Sequence, residues 1–433
     1  MTGTVSAAPL RPLMMLRLIA GRGAFRLSVQ VMAVALLATW GAETYGRFTN
    51  ALGLCTWLVF LPTAAEKAAL KVLPRTRLLS AHVAGLALRI AAAPVLLLVC
   101  ALAVALLVAP SSTVTLYLCA ATWSASTGLL MTVSGLHRLR GRPVLDAVAF
   151  GVAAALVIGA TATAWYTGWS PRSHLLVLVA GIAVIIGCTV HALPPSWVRR
   201  QDPSGRRLLP AFGRSTWLLG ITELLDAVTL SSIFLVLAVA GRVTDSGPFY
   251  LALMASSFIC SFLLYQLKLH QPATSARLRG QGAAGGRERA YALLRSAEFA
   301  GLAFVALLVS MLALPPTRQL LVTEATAQAT LAEYLVLGVL VLIEMVMAIV
   351  LMYAGFLLEN TNSRVLTITS GAAVVRLAAT LLCAAALVPP LGAIGGFCAI
   401  VLALGAEAAA LRRMLLRQHP ELTAHTPVRV RKH

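Results

Sequence analysis

Charge is what this sequence has least of. Only 12% of its 433 residues are Asp, Glu, Lys or Arg, where a soluble domain carries about 25%, so a water-soluble globular fold is excluded. Acid is scarcer than base, with 15 Asp and Glu against 35 Lys and Arg. The seven cysteines stand singly in apolar stretches, with no Cys-x-x-Cys and no Cys/His cluster. That excludes a disulfide framework and a zinc site. No Walker-type glycine loop is present to power work with a nucleotide. The opening residues lack a signal-type apolar core followed by a small-residue cleavage site, so no cleavable signal peptide is expected.

What is present is apolar length. Fifty-nine per cent of the chain is hydrophobic, in twelve runs: 25–46, 48–66, 80–109, 113–136, 143–166, 173–193, 215–240, 248–267, 293–314, 331–354, 365–387 and 391–411. About 20 apolar residues make a helix about 30 Å long, which matches the hydrocarbon core of a bilayer. The gaps alternate in charge. Of the 35 basic residues, four (Arg47, Arg172, Arg242, Arg318) fall in one set of gaps and two (Arg89, Arg376) within runs, which leaves 29 on the other side. The positive-inside rule makes that side cytoplasmic. It also accounts for the net charge of +20 without nucleic acid, which is not expected as a partner. The expected class is therefore an all-α polytopic membrane protein of about twelve transmembrane helices. It sits in the plasma membrane, among its lipids, with both termini cytoplasmic.

The stretch Pro194–Arg214 carries linker signals (Pro194-Pro195, Asp202-Pro203, Ser204-Gly205). Six runs precede it and six follow. Six is even, so both halves enter from the same side, and an internal repeat is parallel, about an axis along the membrane normal. The division expected is a six-helix bundle over 1–193, a cytoplasmic linker over 194–214, a second bundle over 215–411 and a basic cytoplasmic tail over 412–433. A weak echo links the halves: Tyr45-Gly46-Arg47-Phe48 and Ser246-Gly247-Pro248-Phe249-Tyr250. Gly46 and Gly392 are expected to let one helix end and the next begin across a short gap, with Pro389-Pro390 stopping the eleventh helix.

An ionisable side chain deep in a membrane helix costs about 2.5–3.5 kcal/mol on insertion scales, so each needs a partner or a wet cavity. Glu223 and Asp226, at i, i+3 in the seventh run, share a face. Two carboxylates so close cannot both ionise cheaply, a property that a proton- or sodium-coupling site needs; an Arg from another helix could equally neutralise them. Glu344 and Arg376 lie near the midpoints of their runs, and their equal depth suggests either a buried pair or two groups facing a central cavity, with Arg376 meeting an anion. Glu66, Lys67 and Lys71 close the second run as an interfacial anchor or a docking point for a lipid phosphate. Arg22, Arg26 and Arg89 read as interfacial or as facing a cavity. Asp146, following Pro143, reads as a helix-start acid, and Glu407 as a local partner of Arg412 and Arg413.

Three stretches carry a family resemblance: Trp40-Gly41-Ala42-Glu43-Thr44-Tyr45-Gly46-Arg47-Phe48, Ala65-Glu66-Lys67-Ala68-Ala69-Leu70-Lys71-Val72-Leu73-Pro74-Arg75, and Val388-Pro389-Pro390-Leu391-Gly392-Ala393-Ile394-Gly395-Gly396. Together they resemble the Wzx-type polysaccharide flippases of the superfamily that also holds the MATE exporters. Lys67 and Lys71 stand where Arg is usual in that family, and Arg376 where an uncharged polar residue is typical. The resemblance implies a transporter, not an enzyme, that carries a lipid-linked oligosaccharide to the outer leaflet by alternating access. It needs no cofactor, with proton or sodium coupling possible, and polysaccharide polymerase and glycosyltransferases are candidate partners. The substrate-binding residues are then Arg22, Arg26, Arg89, Arg376, Lys67 and Lys71, and the ion-coupling residues Glu223, Asp226 and Glu344. A cytoplasm-negative potential would drive an anionic head outward by about 2.3 kcal/mol per charge per 100 mV. One alternative is a cation-coupled multidrug or metabolite exporter of the same superfamily; a cavity dominated by carboxylates and aromatics would favour it, one dominated by Arg the flippase. The other is a membrane-embedded polymerase or glycosyltransferase, for which the longest expected outside gap, 315–330, offers no second acid beside Glu324.

Overall fold

The computed structural model describes residues 12–73, 80–198, 204–278, 282–315, 331–361 and 365–423. Among them the chain is helical throughout, with no strand. In hydrocarbon every backbone amide must find its partner within the segment, which leaves the helix as the form for these apolar runs. The helices are α1 (Pro12–Cys55), α2 (Phe60–Val72), α3 (Ser80–Val108), α4 (Thr113–Leu139), α5 (Pro143–Thr167), α6 (Pro171–His191) and the single turn α7 (Pro195–Val198). The second half holds α8 (Ser204–Val239), α9 (Ser246–Arg277), α10 (Gly282–Ala313), α11 (Leu331–Thr361) and α12 (Val365–Gln418). Local signals set several starts. Ser112 and Ser170 accept backbone N–H bonds at the entrances of α4 and α6, and Pro143 and Pro171 occupy first-turn positions.

Among the described residues ten spans are long and apolar enough to cross a membrane, so this is a multi-pass membrane protein. Two of the ten, 57 and 51 residues long, are far more than one crossing needs, and each folds back on itself. The breaks are Gly41 (φ 71°) and Gly392 (φ 54°), in the left-handed region that glycine reaches without steric cost. Side-chain contacts fix the reversal. Arg22 and Glu66, on opposite sides of Gly41, lie at one end of the bundle within 4.0 Å of each other. Trp40 meets Trp169 at the other end. Likewise Arg376 and Glu407, on opposite sides of Gly392, meet at 3.4 Å. Ten spans thus supply the twelve expected crossings.

The first break is not where the sequence suggested. Gly46 is helical, one turn beyond Gly41. Its lack of a side chain serves contact instead, since a Cβ there would lie 2.9 Å from the Val243 carbonyl oxygen. The two echoed motifs therefore touch: Gly46 packs on Val243–Thr244, and Tyr45 on Gly247. The expected basic gaps are also shorter than their composition implied. α1 begins at Pro12, α8 at Ser204 and α10 at Gly282, while α9 runs on to Arg277 and α11 to Thr361. Arg is a good helix former, so helices continue past the apolar boundary. Most of the expected 315–330 gap lies outside the described residues.

Buried side chains form two cores, one from Phe25 to Phe212 and one from Ile233 to Leu415. Small residues allow the tightest crossings. Gly128 of α4 abuts the Val59 carbonyl, and Gly301 of α10 faces Gly405 of α12. The halves meet at both ends of the bundle. At the short-loop end, Asn50 Nδ2 donates to the Phe234 carbonyl oxygen at 2.9 Å and to Ser246 Oγ at 3.0 Å. Asn50 Oδ1 accepts from Tyr117 at 2.6 Å, and Ser231 donates to the Gly53 carbonyl at 2.9 Å. Between this closure and the basic-loop end lies a cavity.

The breaks give a direct test. Gly41→Ala should lower stability by about 1–3 kcal/mol, the cost of a sparsely populated positive-φ conformation for an L residue, and Gly392→Ala by at least as much. Gly151→Ala, on a helix facing open space, should be neutral or stabilising by up to about 1 kcal/mol. Thermal unfolding in detergent would rank the three; equal midpoints would show that the breaks do not depend on glycine.

Candidate functional site

The central cavity, about 290 Å³, lies between the halves and is lined by α1, α2, α8, α9, α11 and both legs of α12. Its charged walls are Arg26, Lys67, Glu223, Asp226, Glu344, Glu359, Arg376 and Glu407. Two tethered cations organise most of them. Lys67 Nζ sits 3.2 Å from Glu223 Oε1 and 3.1 Å from Glu359 Oε2. Arg376 Nη1 sits 3.1 Å from Asp226 Oδ1 and 3.4 Å from Glu407 Oε2. The Glu223–Asp226 pair is thus split, because i, i+3 spacing on α8 gives each carboxylate a different cation one turn apart.

Arg26 and Glu344 stand apart. Arg26 lines the cavity with no carboxylate within 4.0 Å among the described residues. Glu344 is 4% exposed, with one carboxylate oxygen unpartnered and Ser256 beside it. The expected Glu344–Arg376 pair is not formed. Equal depth brought the two to one level, but the rotation of α12 aims the guanidinium at α8 and at its own returning leg. Glu407 is correspondingly not a local partner of Arg412, which pairs with Glu298 of α10.

Other expected site residues are redistributed. Lys67 is no interfacial anchor: it is 6% exposed and spans the halves. The side chain of Lys71 lies outside the described residues. Arg89 is exposed on α3, outside the cavity lining, and its Nε donates to the Gly85 carbonyl at 3.1 Å. Arg22 is drawn into a second network inside the first half. It lies 3.3 Å from Asp146, while Arg138 lies 2.9 Å from Asp146 and 2.7 Å from Glu66. Asp146 is fully buried and Glu66 is 2% exposed. Asp146 still stands in the first turn of α5, but its main role is to hold these two arginines. Tyr265 of α9 reaches across from the second half, 4.3 Å from the Arg22 guanidinium, to cover the network.

A smaller pocket of about 100 Å³ adjoins the cavity, sharing Arg26, Val59, Phe60, Ser261 and Leu264 with it. Phe25, Phe150, Phe258, Phe262 and Tyr265 give it an aromatic wall. Sequence reading missed Glu359, Glu407 and Arg138 as partners. The signal available was an unbalanced acid in each long helix, since a charge there has to be answered from somewhere.

No family model matches the chain, and no curated protein matches it. Solved structures do. A mutant of the Vibrio cholerae MATE transporter VcmN superposes with a TM-score of 0.59 at 15% identity, over 95% of this chain and 98% of that one. An outward-facing multidrug resistance MATE family transporter of the MOP superfamily gives 0.56 at 13% identity, over 95% and 96%. A MOP superfamily transporter from Pyrococcus furiosus, described as having a reversed polarity of the binding pocket that suggests a different function, gives 0.54 at 15%, over 95% and 96%. The chain therefore has the fold of these MATE transporters, with twelve crossings among the described residues.

The pairing can be tested by exchange. Arg376→Ala should cost about 3–5 kcal/mol, as expected when one partner of a buried pair is removed. Arg376→Met with Glu407→Gln and Asp226→Asn should recover most of it. Arg376→Ala with Glu344→Ala should not. Recovery by the Glu344 double variant, read by thermal unfolding, would restore the pairing that equal depth suggested.

Proposed function

We propose that the chain is a proton-coupled exporter that works by alternating access in the plasma membrane, with its basic loops and termini cytoplasmic. The charge of the cavity carries this reading: among the described residues, five carboxylates (Glu223, Asp226, Glu344, Glu359, Glu407) line it against three cations (Arg26, Lys67, Arg376). Among the described residues each tethered cation is shared by two carboxylates, so one proton on either carboxylate leaves a one-to-one pair. The fold shared with a multidrug resistance MATE transporter and the aromatic pocket beside the cavity support an amphipathic cargo. Contacts between the halves at both ends of the cavity suit a device that opens one end at a time.

A second reading rests on Arg26. Among the described residues it is the cavity cation with no carboxylate within 4.0 Å, and it borders the aromatic pocket. That suits an anionic head with an apolar tail, as in the flippase of a lipid-linked oligosaccharide, which would work beside glycosyltransferases and a polymerase.

The readings part in inverted membrane vesicles with an acidic lumen. The exporter should discharge the pH gradient when ethidium is added and concentrate the dye in the lumen. Glu407→Gln, which leaves Arg376 paired with Asp226, should reduce this at least about tenfold, the scale of one lost proton-transfer group. Wild-type vesicles that ignore ethidium, together with cells lacking the protein that accumulate lipid-linked glycan on the cytoplasmic leaflet, would replace the exporter by the flippase.

A further inference from the structure

The two closures of the cavity differ in kind. The short-loop closure is made of neutral groups: Asn50 and Tyr117 from the first half, Ser231, Ser246 and the Phe234 carbonyl from the second. The basic-loop closure is ionic. Lys67 stands on α2, 26 residues beyond Gly41, which places it about 39 Å along the returning leg at 1.5 Å per residue. Its two carboxylates stand on α8 and, within the last turn, on α11. So one ammonium of the first half is gripped by two carboxylates of the second. The second tethered cation, Arg376, has both partners in its own half and joins nothing across the cavity.

We propose that Lys67 is a built-in competitor of the coupling proton and that its release opens the basic-loop end. With Glu223 and Glu359 both ionised, the ammonium bridges the halves and that end stays shut. A proton that reaches the cavity is taken up on a carboxylate oxygen of Glu223 or Glu359. The carboxylate becomes a neutral acid, Lys67 keeps its own protons, and the bridge loses one of its two anions. Loss of the proton to the cytoplasm returns the carboxylate to Lys67 and closes the end again. The asymmetry gives the coupling its direction: protons act on the ionic closure, and the neutral one is left to the cargo. Other charges face the bridge from neighbouring helices. Asp226 lies one turn along α8, with Arg376 and Glu407 of α12 beyond it; Arg26 of α1 shares the cavity, and Gln271 of α9 adds a neutral amide. Asp226 is committed to Arg376, which leaves Lys67 to Glu223 and Glu359.

The inference rests on the proton-coupled reading, and the experiment separates the two. Cys260 of α9 lines the cavity and serves as a native probe once the other six cysteines are replaced. Its labelling by a membrane-impermeant maleimide is measured in inverted vesicles, which expose the cytoplasmic face, and in right-side-out vesicles. Each rate is divided by that of the same thiol in unfolded protein at the same pH, which cancels the thiol's own titration. From pH 8 to pH 5.5, wild-type labelling from the cytoplasmic face should rise about tenfold, the equivalent of about 1.4 kcal/mol in the opening equilibrium. Lys67→Met should label at the high rate at both pH values, and Lys67→Arg should keep the response. Should Lys67→Met fail to fold, Glu359→Gln, which leaves Lys67 paired with Glu223, should still label faster than wild type at pH 8. A wild type indifferent to pH would overturn the proton-coupled reading. A wild type that responds, with Lys67→Met and Glu359→Gln responding identically, would overturn the latch alone.

Discussion

A charge carried into hydrocarbon must be answered there, and this requirement organises the whole bundle. Twelve helices with so few acids could pack in many rotations. Lys67 between Glu223 and Glu359, and Arg376 between Asp226 and Glu407, select one. Removing a single partner from such a cluster leaves a stranded charge, at a cost of about 3–5 kcal/mol, more than most apolar contacts contribute. The hairpin at Gly392 has a comparable role. It returns the chain so that Arg376 and Glu407, 31 residues apart in sequence, come level. Without the left-handed glycine the pairing that fixes α12 against α8 has no geometry to form in.

The two halves solve the same problem differently. The first half pairs four of its charges among themselves, Arg22 and Arg138 with Glu66 and Asp146, in a balanced square with Tyr265 laid over it, while its Arg26 and Lys67 face the cavity. The second half leaves its clusters one negative charge over and turns them to the cavity. A balanced network gains little by titrating and reads as scaffold. An unbalanced one facing a cavity is where protons can be exchanged, and on the proton-coupled reading the cavity clusters around Lys67 and Arg376 are where coupling would act.

Much of this was legible in the sequence, and the gaps have a common cause. Apolar length and alternating basic gaps were enough for the twelve crossings, because both are one-dimensional quantities. Depth is one-dimensional too, and it put Glu344 level with Arg376. The angle around each helix axis is not, and it sent Arg376 to Asp226 and Glu407. The same lack hid Lys67, whose position at the end of a run reads as interfacial until α8 and α11 are packed against it. Gly41 and Gly46 were indistinguishable as letters. One supplies a positive φ and the other a close approach to Val243, and only the fold separates those uses.

The electrostatics of the cavity also bring the two functional readings closer than their names suggest. With every group ionised, the five carboxylates and three cations among the described lining residues leave two negative charges, which would repel a pyrophosphate head of about two charges. One proton on each cluster and one on Glu344 reverse the sign and leave Arg26 as the dominant charge beside the aromatic pocket. At about 4 Å and an effective dielectric constant near 20, each such charge is worth about 4 kcal/mol to a neighbour, enough to decide which cargo enters. The proton is then more than a source of energy. On the proton-coupled reading, protonation would shift the preference of the cavity from a cation towards an anion, and direction still separates the two functions: an anion admitted with the protons would travel inward with them, whereas the flippase reading carries it outward.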